Sequence, residues 1–250
     1  MKEKKDSLGD RMKNYENSFR YHLTGRLPII LRIDGCHFHS YTKSCKKPFD
    51  TNLTSVMDDT AKALCNSIQG AKLGFVQSDE ISILINSYEN LNSDSWFSNN
   101  LQKIVSVSAG IASGTFTSLS DRIFGKIKLA TFDSRAFVLP KEEVNNYFLW
   151  RQQDCSRNSV QMLARSHFSS NECFKKNVKV LKEMLIQKGS PWEDLPIGQK
   201  LGRCIVKKTK TEMLFNKKTN EPVEVTRSFW DVHSNTPNFH DTPDFVNSLI

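Results

Sequence analysis

The 250-residue chain has no apolar run near the ~18–20 residues that a membrane span requires. Its opening, Met1-Lys2-Glu3-Lys4-Lys5-Asp6, lacks the apolar core of a secretory signal. There is no internal repeat and no low-complexity tract, and 38% hydrophobic with 25% charged residues excludes the disordered and fibrous classes. The six cysteines (Cys36, Cys45, Cys65, Cys155, Cys173 and Cys204) form no CxxC, so without an export signal they read as reduced thiols. Cys36, His37, His39 and Cys45 lie close together, but adjacent ligands at 36 and 37 fit structural-zinc spacing poorly. The expectation is a soluble, cytoplasmic protein, an organelle not being excluded, with one large domain or a domain and an appendage.

Basic residues are also missing from one region. Residues 229–250 hold three Asp and no Lys or Arg, and residues 1–150 are nearly balanced with 19 basic and 16 acidic side chains. The stretch 151–228, with 16 basic and 8 acidic residues, therefore accounts for the whole net charge of +8. Such asymmetry suits an anionic partner, nucleic acid first among them, and suits a solvated lysine-rich surface equally well.

Periodicity supplies the fold class. Leu8, Met12, Tyr15, Phe19 and Leu23 space an amphipathic helix over about 7–24. The β-branched run 27–33 reads as a buried strand, and residues 50–69 as a helix behind an Asp50 cap. Strands over 72–77 and 81–86 flank Ser78-Asp79-Glu80 as a tight hairpin, and a helix follows over about 98–117. A fourth strand spans 129–132 and 136–139, with an interruption at Ser134-Arg135. The order β-α-β-β-α-β is the ferredoxin-like arrangement, which makes the chain α+β. Beyond Pro140 the pattern predicts helices over 141–168 and 175–187, a hairpin within 202–228 turning at 217–220, and a loosely ordered tail from 229. The expected domains are a ferredoxin-like region over 1–140, with its N-terminal helix, and a helical and β-hairpin extension over 141–250 packed as one unit with it.

In this topology the first and third strands are antiparallel central neighbours. Asp34 follows the first and Asp79-Glu80 precede the third, so the carboxylates meet at one end of the sheet. Clustered acids repel unless a cation joins them, and hard oxygen ligands suit Mg²⁺. Such a site would bind a nucleoside triphosphate and activate an attacking oxygen. Gly35 lets the backbone turn close to a ligand, and Lys46 and Lys47 are phosphate or base contacts in a loop stiffened by Pro48.

These residues fall into ordered blocks: Arg32-Ile33-Asp34-Gly35-x-x-Phe38-His39, Lys47-Pro48-x-Asp50 and Gln77-Ser78-Asp79-Glu80-x-Ser82. Phe132-Asp133-Ser134-Arg135 with Pro140, and Tyr147-x-x-Trp150-Arg151-Gln152-x-Asp154-Cys155, complete them. Over roughly 27–205 the set resembles the tRNA-His guanylyltransferase superfamily. The resemblance implies a polymerase-like palm that adds nucleotides in the 3′-to-5′ direction. A 5′-monophosphate RNA is activated with ATP or GTP, and the 3′-hydroxyl of an incoming nucleotide then attacks the activated phosphate.

By the same resemblance, Asp34, the Gly35 carbonyl and Asp79 would hold two Mg²⁺ ions, and Glu80 would be a supporting carboxylate. Asp34, Gly35, Cys36, His37, Phe38 and His39, with Ser78 and Asp79, would wrap the triphosphate, and Lys47 would contact the nucleotide. Family members commonly carry Arg-Asn where this chain has Cys36-His37. The tRNA-His-specific enzymes follow Asp-Cys with His-Ile-Asn-Asn, whereas here Asp154-Cys155 precede Ser156-Arg157-Asn158-Ser159. That departure resembles the guanylyltransferase-like branch, which implies repair of truncated tRNA 5′ ends on the opposite strand as template. Arg151, Arg157, Asn158, Arg165, Lys175, Lys176, Lys179, Arg203, Lys207 and Lys208 become candidate RNA contacts. Asn158 reads equally as helix surface; Trp150 and Phe148 read as base-stacking groups or as core. The resemblance also implies a homotetramer. The rival readings are tRNA-His guanylyltransferase proper, a nucleotide cyclase, and an inactive RNA-binding relic.

Overall fold

The computed structural model describes residues 7–90, 92–216 and 221–250; Met1–Asp6 and the predicted turn 217–220 lie outside the described residues. Six strands, β1 (Ile29–Gly35), β2 (Ala71–Gln77), β3 (Glu80–Ile85), β4 (Phe132–Val138), β5 (Arg203–Asn216) and β6 (Glu221–Val232), form one sheet in the order β4-β1-β3-β2-β5-β6. Every neighbouring pair is antiparallel. The first four strands thus have the ferredoxin-like order, and β5 and β6 extend the sheet from its β2 edge. The helices are α1 (Leu8–Asn17), α2 (Phe38–Tyr41), α3 (Thr51–Ser67), α4 (Leu101–Leu119), α5 (Asp121–Phe124), α6 (Lys141–His167), α7 (Ser170–Cys173), α8 (Val178–Gln187), α9 (Ile197–Lys200) and α10 (Asp244–Asn247).

The strands are near-continuous apolar runs because both faces of the sheet are covered. Ile29, Leu31 and Ile33 of β1 join Ile81, Ile83 and Ile85 of β3 in a core with α3 and α4. Ile30, Leu73, Phe75 and Leu84 point the other way and pack against Val144 and Phe148 of α6. A smaller cluster joins the second half of α6 to Leu181 and Leu185 of α8. The α3 start follows from Asp50, whose carboxylate accepts from the amides of Asn52 and Leu53 at 2.9 and 3.0 Å. Asn100 caps α4 by accepting from the Lys103 amide at 3.0 Å.

Three expectations are corrected. The first helix stops at Asn17, and the chain then runs to an isolated bridge between His22 and Asn100. β4 is uninterrupted, because Ser134 and Arg135 keep their places in the ladder opposite Ile33 and Arg32; the polar residues are tolerated on an edge strand. The tail after 229 is packed. Phe229–Val232 complete β6, and Phe239 and Val246 are fully buried on the α6 side. Gln152 locks that tail by donating to the Pro237 carbonyl at 2.8 Å and accepting from the Phe239 amide at 2.9 Å. No helix among the described residues is long and apolar enough to cross a membrane.

Candidate active site

The register of β1 places Asp34 directly between Glu80 on β3 and Asp133 on β4. Residues directly opposite in an antiparallel ladder share a face, so the three carboxylates form one row across three strands. Two residues along, Arg32 lies between Ser82 and Arg135 on the same face. Ile30 belongs to this face and packs towards α6, so the acidic row lies on the α6 side, beyond the apolar core. Asp79 joins it from the hairpin turn between β2 and β3. That turn has only two residues, Ser78 and Asp79, and Ser78 adopts φ 48°, the left-handed backbone that such turns require. The Gly35 amide donates to the Asp79 carbonyl at 3.1 Å, which ties the turn to the end of β1.

The electrostatics separate the acids into two kinds. Burial, followed by repulsion from Asp79, Glu80 and Asp133, pushes the Asp34 carboxyl above its ordinary pKa, and Arg32 offsets this only in part. Asp79 is raised by burial and by Glu80, against a hydrogen bond from Ser78. Neither Asp34 nor Asp79 belongs to an ion pair among the described residues. Glu80 is different. Its two oxygens accept from Nε and Nη2 of Arg151 at 2.7 and 2.8 Å, and both side chains are nearly buried. Gln77 donates to the same carboxylate at 3.1 Å. Glu80 is therefore an ion-paired anchor, whereas Asp34 and Asp79 have no ion-pair partner among the described residues.

Phosphate-binding groups follow β1. The amides of Gly35 and Cys36 are taken up by the carbonyls of Asp79 and Thr131. Those of His37, Phe38 and His39, in the first turn of α2, make no bond to a backbone carbonyl among the described residues. The expected cradle is thereby narrowed to three amides. The Phe38 side chain is not part of it, being buried among Tyr41, Phe116 and Phe132. A Cβ on Gly35 would overlap the Phe38 ring, so the glycine is required for this packing. His37 takes φ 57° and is exposed, as is His39. The loop that carries Lys47 returns to α3 through Asp50, which also accepts from the Lys46 amide at 2.9 Å.

The basic candidates divide sharply. Arg151 is buried, and besides Glu80 it donates to Asp154 at 2.9 Å, so it is not available to an RNA backbone. Burial works against its charge, but Glu80 and Asp154 more than offset that and hold its pKa above the ordinary value. Arg203 is likewise withdrawn, its Nε on Asp58 at 2.6 Å with both side chains largely covered. Sequence reasoning missed both pairings because the partners lie 71 and 145 positions away. Arg157 is exposed and bonds to Asp154, as does Asn158 at 3.3 Å. Lys175, Lys176, Lys179 and Lys207 are exposed, while Lys208 pairs with Asp231 at 2.9 Å. The six cysteines are free thiols.

Three residues quoted in the motifs acquire positions that the sequence did not assign them. Asp133 flanks Asp34 across the β1–β4 ladder. Arg32 and Arg135 face each other directly; Arg135 pairs with Asp133 at 3.6 Å, and the buried Nε of Arg32 has no hydrogen-bond partner among the described residues. Like charges so placed are unfavourable unless an anion lies between them.

A four-stranded antiparallel palm, with α3 and α4 on one face, α6 on the other and unpaired carboxylates at one strand end, is the arrangement of a nucleotidyltransferase. The family model for Thg1, tRNAHis guanylyltransferase, matches residues 9–140. The chain belongs to that family. Over 98% of its length it superposes, at a TM-score of 0.84 and 45% identity, on 99% of a bacterial tRNA(His) guanylyltransferase (Thg1)-like protein in complex with ATP. A bacterial Thg1-like protein in complex with GTP matches at 44% identity and a TM-score of 0.78, with the same coverage. The Saccharomyces cerevisiae tRNA(His) guanylyltransferase, at 23% identity and a TM-score of 0.65 over 76% of this chain and 90% of the other, shares the fold. Among curated relatives, an uncharacterised mimivirus protein, R259, is 27% identical over 81% of this chain and 77% of its own length. The match to tRNA(His) guanylyltransferase 2 of Arabidopsis thaliana, at 28% identity, covers 61% of this chain but only 29% of that protein.

Proposed function

We propose that the protein extends the 5′ end of tRNA in the 3′-to-5′ direction on a template, repairing truncated ends. The observation that carries the chemistry is the meeting of Asp34 with the Ser78-Asp79 turn at one strand end. Membership of a family of nucleotidyl-transferring tRNA enzymes supports it. The absence of a His after Asp154-Cys155 supports a templated reaction over addition of an untemplated G.

Two carboxylates without basic partners suit hard divalent cations, and Mg²⁺ is the ion this chemistry calls for. Among the described residues no group of three or more His, Cys, Asp or Glu converges as a ready-made metal cluster. Asp34, Asp79 and the Gly35 carbonyl would be the protein's share of the ligands, with nucleotide phosphates and water completing them. When bound, the ions would neutralise the phosphates and activate the attacking hydroxyl. The free amides of His37, Phe38 and His39, with Ser78 nearby, would hold the triphosphate, and Lys47 would steady the nucleotide. Because Watson–Crick pairing chooses the nucleotide, the protein needs to grip mainly RNA shape and phosphate. Arg157, Lys175, Lys176, Lys179 and Lys207 are suited to that grip. Palm and extension act as one unit, since Phe75 of β2 packs against Phe148 and Phe239. Homotetramer formation is part of the proposal, supported by the exposed Leu8, Met12 and Tyr15 of α1.

The test offers truncated tRNA and full-length tRNA-His, with 5′-monophosphate or 5′-triphosphate ends, single NTPs and Mg²⁺. Extension of the truncated tRNA, lost in Asp34→Ala and Asp79→Ala proteins that still bind RNA, is expected. Preferential addition of G to full-length tRNA-His would reassign the protein to tRNA-His guanylyltransferase proper. Cyclic nucleotide formed without RNA would make it a cyclase.

A further inference from the structure

We propose that Trp150 is a stacking platform for a nucleobase at the RNA end that enters the site; this rests on the reading of the protein as an RNA-extending enzyme.

Trp150 and Phe148 are both aromatic residues of α6, and the fold separates them. Phe148 is fully buried, whereas Trp150, two positions on, is 50% exposed and can be reached from solvent. Its position is held from several sides. The Arg151 guanidinium carbon lies 4.4 Å from the ring centroid and that of Arg32 lies 6.0 Å away. Tyr147 meets it edge-on at 6.0 Å between centroids, and Tyr147 is itself fixed by a 2.8 Å hydrogen bond with Ser82. Arg32 is two residues from Asp34 on the same face of β1, so the ring borders the carboxylate row.

Trp150 and the carboxylate row share the α6 face of the sheet, and an RNA end has to reach that row to be extended, so a base at that end comes within reach of the ring. Stacking is indifferent to base identity, which suits an enzyme whose specificity comes from pairing with a template.

Tryptophan fluorescence and steady-state kinetics test this in the intact protein. Truncated tRNA should quench emission, NTP alone should not, and the Trp150→Phe protein should lose the quench. Trp150→Ala should raise KM for tRNA about ten- to a hundredfold with a smaller change in kcat, and Trp150→Phe should recover most of it. A tRNA with an abasic 5′-terminal nucleotide should bind wild type and Trp150→Ala equally. Thermal melts of both variants separate misfolding from lost stacking. Unchanged KM in a folded Trp150→Ala protein, or a penalty that persists on the abasic tRNA, would overturn the proposal and leave the extension activity standing. Quenching by NTP alone would overturn the assignment to RNA. If wild type extends no RNA, the functional reading fails, and the quench and abasic comparisons still judge Trp150 by binding.

Discussion

Burial and neighbouring carboxylates raise the pKa of Asp34 and Asp79 in the fold. A carboxylate whose folded pKa lies above its unfolded value favours the protonated form in the native state. Its destabilising effect therefore grows as pH rises from the unfolded value through the folded one, and is complete above it. Asp34→Asn or Asp79→Asn should accordingly raise the melting temperature at neutral pH without divalent cations, and the gain should fade towards pH 4. Mg²⁺ with a nucleoside triphosphate should stabilise the wild type more than either variant. A lower melting temperature for both variants under those conditions would contradict the charge assignment. Glu80 predicts the opposite. Removing Arg151 strands a nearly buried carboxylate, so Arg151→Met should lose about 3–5 kcal/mol of stability by urea denaturation. Arg151→Lys should recover little of it, because an ammonium cannot reproduce the bidentate fork.

At the scale of elements, the antiparallel placement of β1 beside β3 was legible because it follows from periodicity and one topological rule, whereas the addition of β5 and β6 at the β2 edge was not. Antiparallel β1 and β3 bring Asp34 opposite Glu80, a pairing visible in the motif spacing once the βαββαβ order is accepted. The caps at Asp50 and Asn100 obey local chemistry that a sequence displays. What was not legible depends on distant partners. Arg151 and Arg203 look like ordinary basic residues until Glu80 and Asp58 stand beside them. The Asn- and Pro-rich tail looks loose until Gln152 binds its backbone. The exposed lysines before and within the start of α8 are the surface proposed to hold RNA. Lys175→Glu, Lys176→Glu and Lys179→Glu together should weaken tRNA binding and flatten its dependence on salt, by up to about 0.9 log unit for each phosphate no longer neutralised. An unchanged salt slope would reduce them to solvated surface.

For the whole molecule, the palm and the extension share a core, so neither is expected to unfold alone. Phe239 packs against Phe75 of β2 and Phe148 of α6 at 5.6 and 6.0 Å between ring centroids. Phe239→Ala should cost about 3–5 kcal/mol and give a single cooperative transition, although the residue is far from the acidic end in sequence. Two separated transitions would show that the halves are independent. The charge is unevenly spread: residues 1–150 are nearly balanced, and of the basic residues in 151–228 some, such as Arg151 and Arg203, pair with acids inside the fold while others remain on the surface. Net charge alone left an anionic partner and a solvated surface equally open, and it is the proposed function that makes the partner tRNA.

The central claim is that pairing with a template chooses the nucleotide that this acidic site joins to the RNA. It is tested most directly by changing the unpaired template base opposite the missing 5′ nucleotide of a truncated tRNA and identifying which nucleotide is added. The account predicts that the added nucleotide changes to the new complement with every template base. Addition of G whatever the template base would contradict it.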